Sequence, residues 1–303
     1  TMVSGSLTIG KLHPSVLRRL VFSHVGATDQ RVLLGPSIGE DASVIDFGDR
    51  ALVVHSDPIT GAFENVGWLA VNVCTNDIAT RGIRPLWILT VLLLPETFTM
   101  NQLKGITAQI DRASKQLGVA VVGGHSEVTV GINRPIIITT AMGETVDKRL
   151  VRTRGAKVGD SVIVTKGAAI EGTAILAYEL ASFLESRIGK KVVEKAKEFI
   201  KMTSVVKDAL TAVGVAEVHA MHDATEGGFV AALNEMADAS NVGFSIDFTK
   251  LPIPQQLRKL AEHFSLTREQ LLSASSTGTL LAAVSPNHVE RAIAALSKTG
   301  GNT

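Results

Sequence analysis

Apolar and polar residues alternate with two different periods along the first half of the chain. Short apolar runs and period-two alternation predict β-strands, whereas apolar residues spaced three and four apart predict amphipathic helices. The predicted strands of this half are 43–47, 51–55, 86–94, 119–122 and 136–142. The predicted helices are 15–24, 66–81 and 100–117. Because strands and helices follow one another, we expect an α/β sandwich.

A charged, turn-rich segment at 150–160 separates this half from a second one. We therefore predict two domains, residues 1–150 and 151–303, and an α/β fold class for both. In the second half, the predicted strands are 161–165, 242–247 and 279–284. The predicted helices are 171–184, 190–212 as one or two helices, 226–240, 254–272 with a break near Ser265, and 286–298.

Acidic residues recur where these apolar elements begin or end. They are Asp41 after Gly39-Glu40, Asp57 before Pro58, Asp77 beside Asn76 in helix 66–81, and Asp223 before helix 226–240. Because proline cannot continue a strand ladder, we expect the strand to stop and Asp57 to project at its tip. Several carboxylates at one place repel each other unless a cation lies between them. Such a set suits Mg²⁺ that also binds a polyphosphate.

Each acid also has a structural interpretation when it is taken alone. Asp41 can cap a turn, Asp77 and Asn76 can form a satisfied polar pair, and Asp223 or Thr225 can be the N-cap of helix 226–240. The glycines that open this helix lower its stability. We therefore expect a ligand or another backbone segment to pack against them.

A second glycine pair, Gly123-Gly124, follows the predicted strand 119–122 and precedes His125 and Glu127. Two glycines let backbone amides approach a phosphate, although an ordinary loop is the default explanation for such a pair. His125 is either a phosphate donor or a solvated histidine.

Composition narrows the classes of function. Hydrophobic residues make up 45% of the 303 residues, but aromatic residues only 4%, and the net charge is +1. These values argue against a nucleic-acid-binding surface.

The single cysteine, Cys74, excludes an internal disulfide and a cysteine-rich zinc site, and we expect it to be a small buried side chain. The start of the chain has no apolar signal-peptide core, and the longest apolar run is too short for a bilayer, so we expect a cytoplasmic protein.

Taken in order, these stretches resemble the aminoimidazole-ribonucleotide (AIR) synthase-related superfamily. Its members include AIR synthase, thiamine-monophosphate kinase, selenophosphate synthetase and the hydrogenase expression/formation (maturation) proteins, which this chain resembles most. The similar segments are 69–72 with 76–79, Gly82 and Pro85, then 223–228 with 233–237 and Val242-Gly243, then 276–281. The resemblance covers about residues 35–298.

The resemblance implies an N-terminal α/β domain that pairs with its copy across a homodimer to form a β-barrel, and a C-terminal α/β sandwich domain. It also implies that ATP and Mg²⁺ bind near the dimer interface. The metal ligands implied by the matching motifs are Asp41, Asp57, Asp77, Glu127 and Asp223. The nucleotide-binding residues would be Asn76, Gly123, Gly124, His125, Thr225 and Glu226.

The chain also departs from its relatives. Maturation proteins end in a cysteine that carries the substrate group, whereas residues 297–303 contain none. We therefore expect a different reaction, unless the chain continues beyond Thr303. His125 stands where relatives often have an acid, and Glu226 where maturation proteins usually have arginine.

The prediction is a homodimeric, Mg²⁺- and ATP-dependent enzyme that phosphorylates or activates a small-molecule acceptor. One alternative is a phosphotransferase of the thiamine-monophosphate-kinase kind. The other alternative is a nucleotide-binding module without turnover.

Overall fold

The structure is a computed structural model that describes residues 12–40, 42–62, 64–146 and 150–299. Within these residues the first domain contains a six-stranded sheet with the strand order β1-β2-β3-β6-β4-β5. Its strands are β1 (Val32–Leu34), β2 (Ser43–Asp46), β3 (Ala51–Ile59), β4 (Pro85–Leu94), β5 (Ala120–Val128) and β6 (Ile136–Thr145). Neighbouring strands are antiparallel except β4 and β5, which are parallel.

Three helical elements accompany this sheet. Helix α1 (Pro14–Val16) continues as a π-helical turn over Leu17–Val21. Helix α2 (Val66–Ala79) is buried at nearly every position because it lies between the sheet, helix α3 (Met100–Leu117) and the second domain. The predicted helix 100–117 is confirmed: it begins with a Thr99–Gln102 capping box and ends at Gly118, whose left-handed backbone suits glycine.

The second domain is built on a three-stranded antiparallel sheet in the order β7-β9-β8. Its strands are β7 (Ser161–Val164), β8 (Val218–Ala224) and β9 (Thr279–Val284). All six residues of the central strand β9 are buried. Leu281 and Ala283 pack into one apolar cluster, while Leu280, Ala282 and Val284 pack into another. Because successive residues of a strand face opposite sides, this sheet lies in the middle of the domain with helices on both faces.

Eight helices surround this sheet within the described residues. They are α4 (Ile170–Glu179), α5 (Ala181–Ile188), α6 (Lys190–Lys197), α7 (Val206–Val215), α8 (Gly228–Ser240), α9 (Gln255–Phe264), α10 (Arg268–Ser273) and α11 (Val289–Leu296). The predicted break near Ser265 is confirmed, since Ser265 ends α9 with a left-handed backbone. None of the helices in the described ranges has the length and apolarity needed to cross a membrane.

Several predicted elements have other bounds in the structure; the predicted helix 171–184, for example, is divided at Leu180 into α4 and α5. Residues 242–247 form no strand, whereas β8, which is rich in polar residues, is a strand that the sequence pattern did not predict. Strand β3 runs through Pro58 to Ile59 instead of stopping before it. Among the described residues, the part of this strand beyond Val54 pairs only with β6, so a proline without an N–H is tolerated on its other side. Strand β5 extends to Val128, so Gly123 and Gly124 lie inside it.

Buried polar side chains connect the two domains. The Arg81 guanidinium is fully buried and donates hydrogen bonds to Glu40 Oε2 at 2.8 Å, Thr153 Oγ1 at 2.9 Å and the carbonyl of Met221 at 3.2 Å. The side-chain amide of Asn76 in α2 donates a hydrogen bond to the carbonyl of Thr203. Its Oδ1 accepts a hydrogen bond of 2.8 Å from a backbone N–H of the second domain. These contacts fix the end of α2 against the second sheet.

Candidate functional site: an acidic cleft between the two domains

A cleft of about 1160 Å³ lies between the two domains and is lined by residues of both. Its lining is strongly acidic. Seven carboxylate side chains contribute to it: Glu40, Asp57, Asp77, Glu171, Asp223, Glu226 and Glu235. The described lining residues include no lysine or arginine, and their basic side chains are His13, His55 and His222. Arg81, which does not line the cleft, pairs with Glu40 at 2.8 Å, so Glu40 adds little negative charge. The other six carboxylates give the cleft a negative field, which favours cations over free anions.

The most compact group in the cleft consists of His55, Asp57 and Asp77. One ligand atom from each of the three lies within 4.8 Å of the other two. His55 and Asp57 are two residues apart in β3, so their side chains lie on the same face of the sheet. Asp77 comes from α2, which packs across that face. Two carboxylates at this separation repel each other by roughly 3–4 kcal/mol at an effective dielectric constant of about 20, and a bound cation would offset this cost.

The second domain contributes Asp223, Thr225 and Glu226 to the opposite wall. Asp223 is almost fully buried near the end of β8, and Thr225 and Glu226 follow in the turn before α8. The predicted N-cap is wrong: α8 starts at Gly228, and no side chain caps it. Sequence reasoning thus found the correct segment but placed Asp223 in a loop instead of a strand.

The glycines of this turn are explained by packing. Gly228 has a φ of +62°, and a Cβ there would lie 2.4 Å from the carbonyl oxygen of Ala274. A backbone segment therefore packs against the second glycine of the pair, which is one of the two explanations expected from the sequence.

Two further carboxylates of the cleft are held by hydrogen bonds that the sequence did not predict. Glu171 Oε2 accepts hydrogen bonds from Ser275 Oγ at 2.5 Å and Thr277 Oγ1 at 2.7 Å. His222 Nε2 lies 2.7 Å from Glu235 Oε2. No local motif marks these residues, because they meet only through the packing of the second domain. His55, in contrast, could have been predicted from the sequence, because the strand spacing His55-x-Asp57 places two potential ligands on one face.

The other predicted site residues lie elsewhere in the described chain. Gly123, Gly124, His125 and Glu127 are in the exposed edge strand β5 and are not among the residues that line the cleft. A Cβ on Gly124 would lie 1.8 Å from the carbonyl oxygen of Thr90 in β4, so the close approach of the two strands requires this glycine. His125 Nε2 lies 3.1 Å from Glu127 Oε2 in an exposed pair.

Two more predictions concern the N-terminal domain. Asn76 is fully buried, and its carboxamide binds the backbone of the second domain; it does not line the cleft. Asp41 lies outside the described residues, although its neighbour Glu40 lines the cleft. The roles of these residues in ligand binding stay predictions.

Cys74 is a buried residue of α2, as expected from the sequence. Its thiol donates a hydrogen bond to the carbonyl oxygen of Thr139 at 3.0 Å. Burial, together with the nearby charges of Asp77 and Asp57, raises the pKa of the thiol well above its ordinary value. A buried thiol with a raised pKa stays protonated at neutral pH, a state in which cysteine is a poor nucleophile.

Comparisons with known proteins agree with this architecture. A putative hydrogenase expression/formation protein of Methanocaldococcus jannaschii is 28% identical over 289 residues, which cover 94% of this chain and 83% of that protein. Carbamoyl dehydratase HypE of Rhizobium leguminosarum bv. viciae is 28% identical over 265 residues, covering 85% and 73%. The solved structure of AaThiL complexed with AMPPCP and TMP superposes with a TM-score of 0.70 at 24% identity, covering 83% of this chain and 81% of that one.

Two family profiles match the two halves of the chain. The profile described as AIR synthase related protein, N-terminal domain, matches residues 39–145, and its C-terminal counterpart matches residues 157–303. The matched segments contain both sheets apart from β1, and most of the residues that line the acidic cleft; the lining residues before position 39 lie outside them. The chain therefore belongs to the AIR synthase related family and has its two-domain α/β fold.

Proposed function

We propose that the chain binds ATP together with divalent cations in the acidic cleft and uses it to phosphorylate or activate a small acceptor. The observation that carries this proposal is the negative charge of the cleft: besides Glu40, which Arg81 neutralises, six carboxylates line it, and the described lining residues include no lysine or arginine. A polyphosphate would be repelled from such a surface unless cations were bound between the two. Mg²⁺ is suited to this role because it takes carboxylate and phosphate oxygens together.

Residues of both walls would contribute to binding the cation. Asp57 and Asp77 would hold a cation on the side of β3, and Asp223 would approach from the second domain. The buried Cys74 does not line the cleft. Catalysis would therefore rest on positioning and charge neutralisation and would not require a covalent intermediate on that thiol.

The relatives support a nucleotide-driven reaction. AaThiL was solved with AMPPCP, an analogue of ATP, and the sequence relatives include a carbamoyl dehydratase and a hydrogenase expression/formation protein. A kinase reaction ends when the γ-phosphoryl group has moved to the acceptor oxygen and ADP is released. A dehydration driven by ATP continues from there, because the phosphorylated oxygen then leaves the acceptor as inorganic phosphate. We place the acceptor beside Glu171 and Glu235, two carboxylates of the second domain that line the cleft and are held by hydrogen bonds, since such groups can recognise its polar groups.

The experiment is calorimetric titration of ATP with and without Mg²⁺, followed by a hydrolysis assay. We expect Asp57→Asn to weaken Mg²⁺-dependent ATP binding by about 10-fold or more, because a ligand charge is lost while the volume is kept. Its thermal unfolding midpoint in metal-free buffer should not fall below that of the parent, because the substitution removes the repulsion between Asp57 and Asp77. Asp111→Asn, on the exposed face of α3, is the control and should bind as the parent does. Equal affinity of Asp57→Asn and the parent rejects the proposal. Tight binding without hydrolysis under any acceptor favours the alternative of a non-catalytic module.

We further propose that the functional form is a homodimer that covers β5. This strand is exposed along its whole length at the sheet edge, with Val121, Val122 and Val128 each about half exposed. An open apolar edge of this kind is a template for pairing with another strand. The predicted roles of Gly123, Gly124, His125 and Glu127 in ligand binding would then depend on the second copy.

Sedimentation analysis tests this assembly. Val122→Glu should convert a dimer into a monomer, because a charge would be buried at the interface. Val158→Glu is the matched control, since Val158 is 94% exposed and lies in the second domain. A monomeric parent protein, or a Val122→Glu variant that still dimerises, contradicts the proposed interface.

A further inference from the structure

His55 gives the compact group in the cleft a different chemistry from an all-carboxylate site. Its Nε2 lies 3.3 Å from Asp77 Oδ2, and one Asp57 oxygen completes a group whose ligand atoms are all within 4.8 Å of one another. The His55 side chain is 25% exposed and that of Asp77 10%. The imidazole is therefore shielded from bulk water but still reaches the cleft.

The backbone that carries these ligands belongs to regular, packed secondary structure. His55 and Asp57 are paired with Ala141 and Thr139 of β6 in regular antiparallel register. The helix that carries Asp77 is buried along its length. Ligands placed on packed strands and helices keep their separation when no ion is bound, which favours binding of a metal of matching geometry.

The donor set decides which ion fits. Mg²⁺ takes oxygen ligands almost exclusively and retains several waters. Imidazole nitrogen favours first-row transition ions, whose affinity for mixed nitrogen and oxygen sites exceeds that of Mg²⁺. One nitrogen and two carboxylate oxygens would leave three positions of an octahedron for water or phosphate oxygens.

We propose that His55 is a direct metal ligand, so that the His55–Asp57–Asp77 group prefers a first-row transition dication such as Mn²⁺ to Mg²⁺. This inference rests on the proposed function, because it names the ion that the same cleft holds. The competing arrangement is one in which His55 only hydrogen-bonds Asp77 and leaves an all-oxygen Mg²⁺ site.

The test uses the full chain and metal ions alone, without nucleotide. Mn²⁺ and Mg²⁺ are titrated calorimetrically, and the bound Mn²⁺ is examined by pulsed electron paramagnetic resonance for coupling to an imidazole ¹⁴N. We expect Mn²⁺ to bind about 10-fold or more tightly than Mg²⁺, with ¹⁴N coupling present. His55→Gln keeps a hydrogen-bond donor for Asp77 but removes the imidazole. It should lose the ¹⁴N coupling and about 10- to 100-fold of the Mn²⁺ affinity, while the Mg²⁺ affinity changes little.

His288→Gln is the matched control, because His288 lies in the second domain near Glu217 and outside the cleft. It should keep both the coupling and the preference for Mn²⁺. Absence of ¹⁴N coupling in the parent protein overturns the inference, and this measurement does not require any variant to fold. An unchanged ratio of Mn²⁺ to Mg²⁺ affinity in His55→Gln overturns it as well.

The two proposals fail in different ways. If Asp57→Asn abolishes Mg²⁺-dependent ATP binding but the parent shows no ¹⁴N coupling, the proposed function stands and the role of His55 does not. If ¹⁴N coupling is present but ATP does not bind, His55 is a metal ligand and the nucleotide proposal falls.

Discussion

Replacement of Arg81 by methionine tests how the two domains are held together. The guanidinium is fully buried and donates hydrogen bonds to Glu40, Thr153 and the carbonyl of Met221, which belong to three separate segments. Methionine fills a similar volume without the charge. The substitution therefore leaves the Glu40 carboxylate, whose side chain is 3% exposed, without its main partner.

The magnitude follows from the burial of this pair. Removing one partner of a buried ion pair costs about 3–5 kcal/mol, mostly because the remaining charge stays desolvated. Arg154 Nε lies 3.4 Å from Glu40 Oε1. Its side chain is half exposed, so it should recover no more than about 1 kcal/mol. We expect a net loss of about 2–4 kcal/mol, a large part of the stability of an ordinary domain.

The assay is urea unfolding followed by circular dichroism and by tryptophan fluorescence. Trp68 is a suitable probe, since its indole N–H donates to the carbonyl of Ile200 at 2.8 Å across the domain contact. Arg112→Met, on the exposed face of α3, is the control and should unfold with the parent. The double variant Arg81→Met/Glu40→Gln should be more stable than Arg81→Met, because no buried charge remains.

Two results would refute this reasoning. One is a loss smaller than about 1 kcal/mol for Arg81→Met, which would mean that the pair contributes no more than an exposed one. The other is a double variant no more stable than the single one, which would show that the uncompensated Glu40 charge is not the cause.

The remaining predictions concern the edge strand and the cysteine. Gly124→Ala should destabilise the protein by more than about 1 kcal/mol, because its Cβ would meet the backbone of β4 at 1.8 Å and its φ is +149°. Thermal unfolding of both variants tests this. Gly123→Ala should lose less stability than Gly124→Ala, since its Cβ would meet only a leucine side chain at 3.2 Å; equal losses of stability would contradict the argument. Cys74 should resist a thiol-specific disulfide reagent at pH 8 in the native protein and react fully in denaturant, because its raised pKa keeps the thiol protonated and the chain buries it. Rapid labelling of the native protein would show that the thiol is accessible.

The sequence alone determined the elements whose signal is local. Helix α3 has a long apolar period with a capping residue at one end and glycine at the other, and strand β9 is a short apolar run between turns. Such patterns depend on the chain's own spacing, so they were predicted to within a residue or two. The sequence also supplied the acidic residues of the cleft, because Asp57, Asp77 and Asp223 each interrupt an apolar element.

Tertiary structure decided what lies beside those acids. Strand β8 carries polar residues that look like a loop, and it becomes a strand because β9 pairs with it along its length. His55 joins Asp77 only because α2 crosses the face of β3, and Arg81 reaches Glu40 across 41 positions of sequence. The sequence therefore shows which acidic residues belong to the site. Packing decides which histidine and arginine side chains lie beside them, since only packing brings distant side chains within bonding distance.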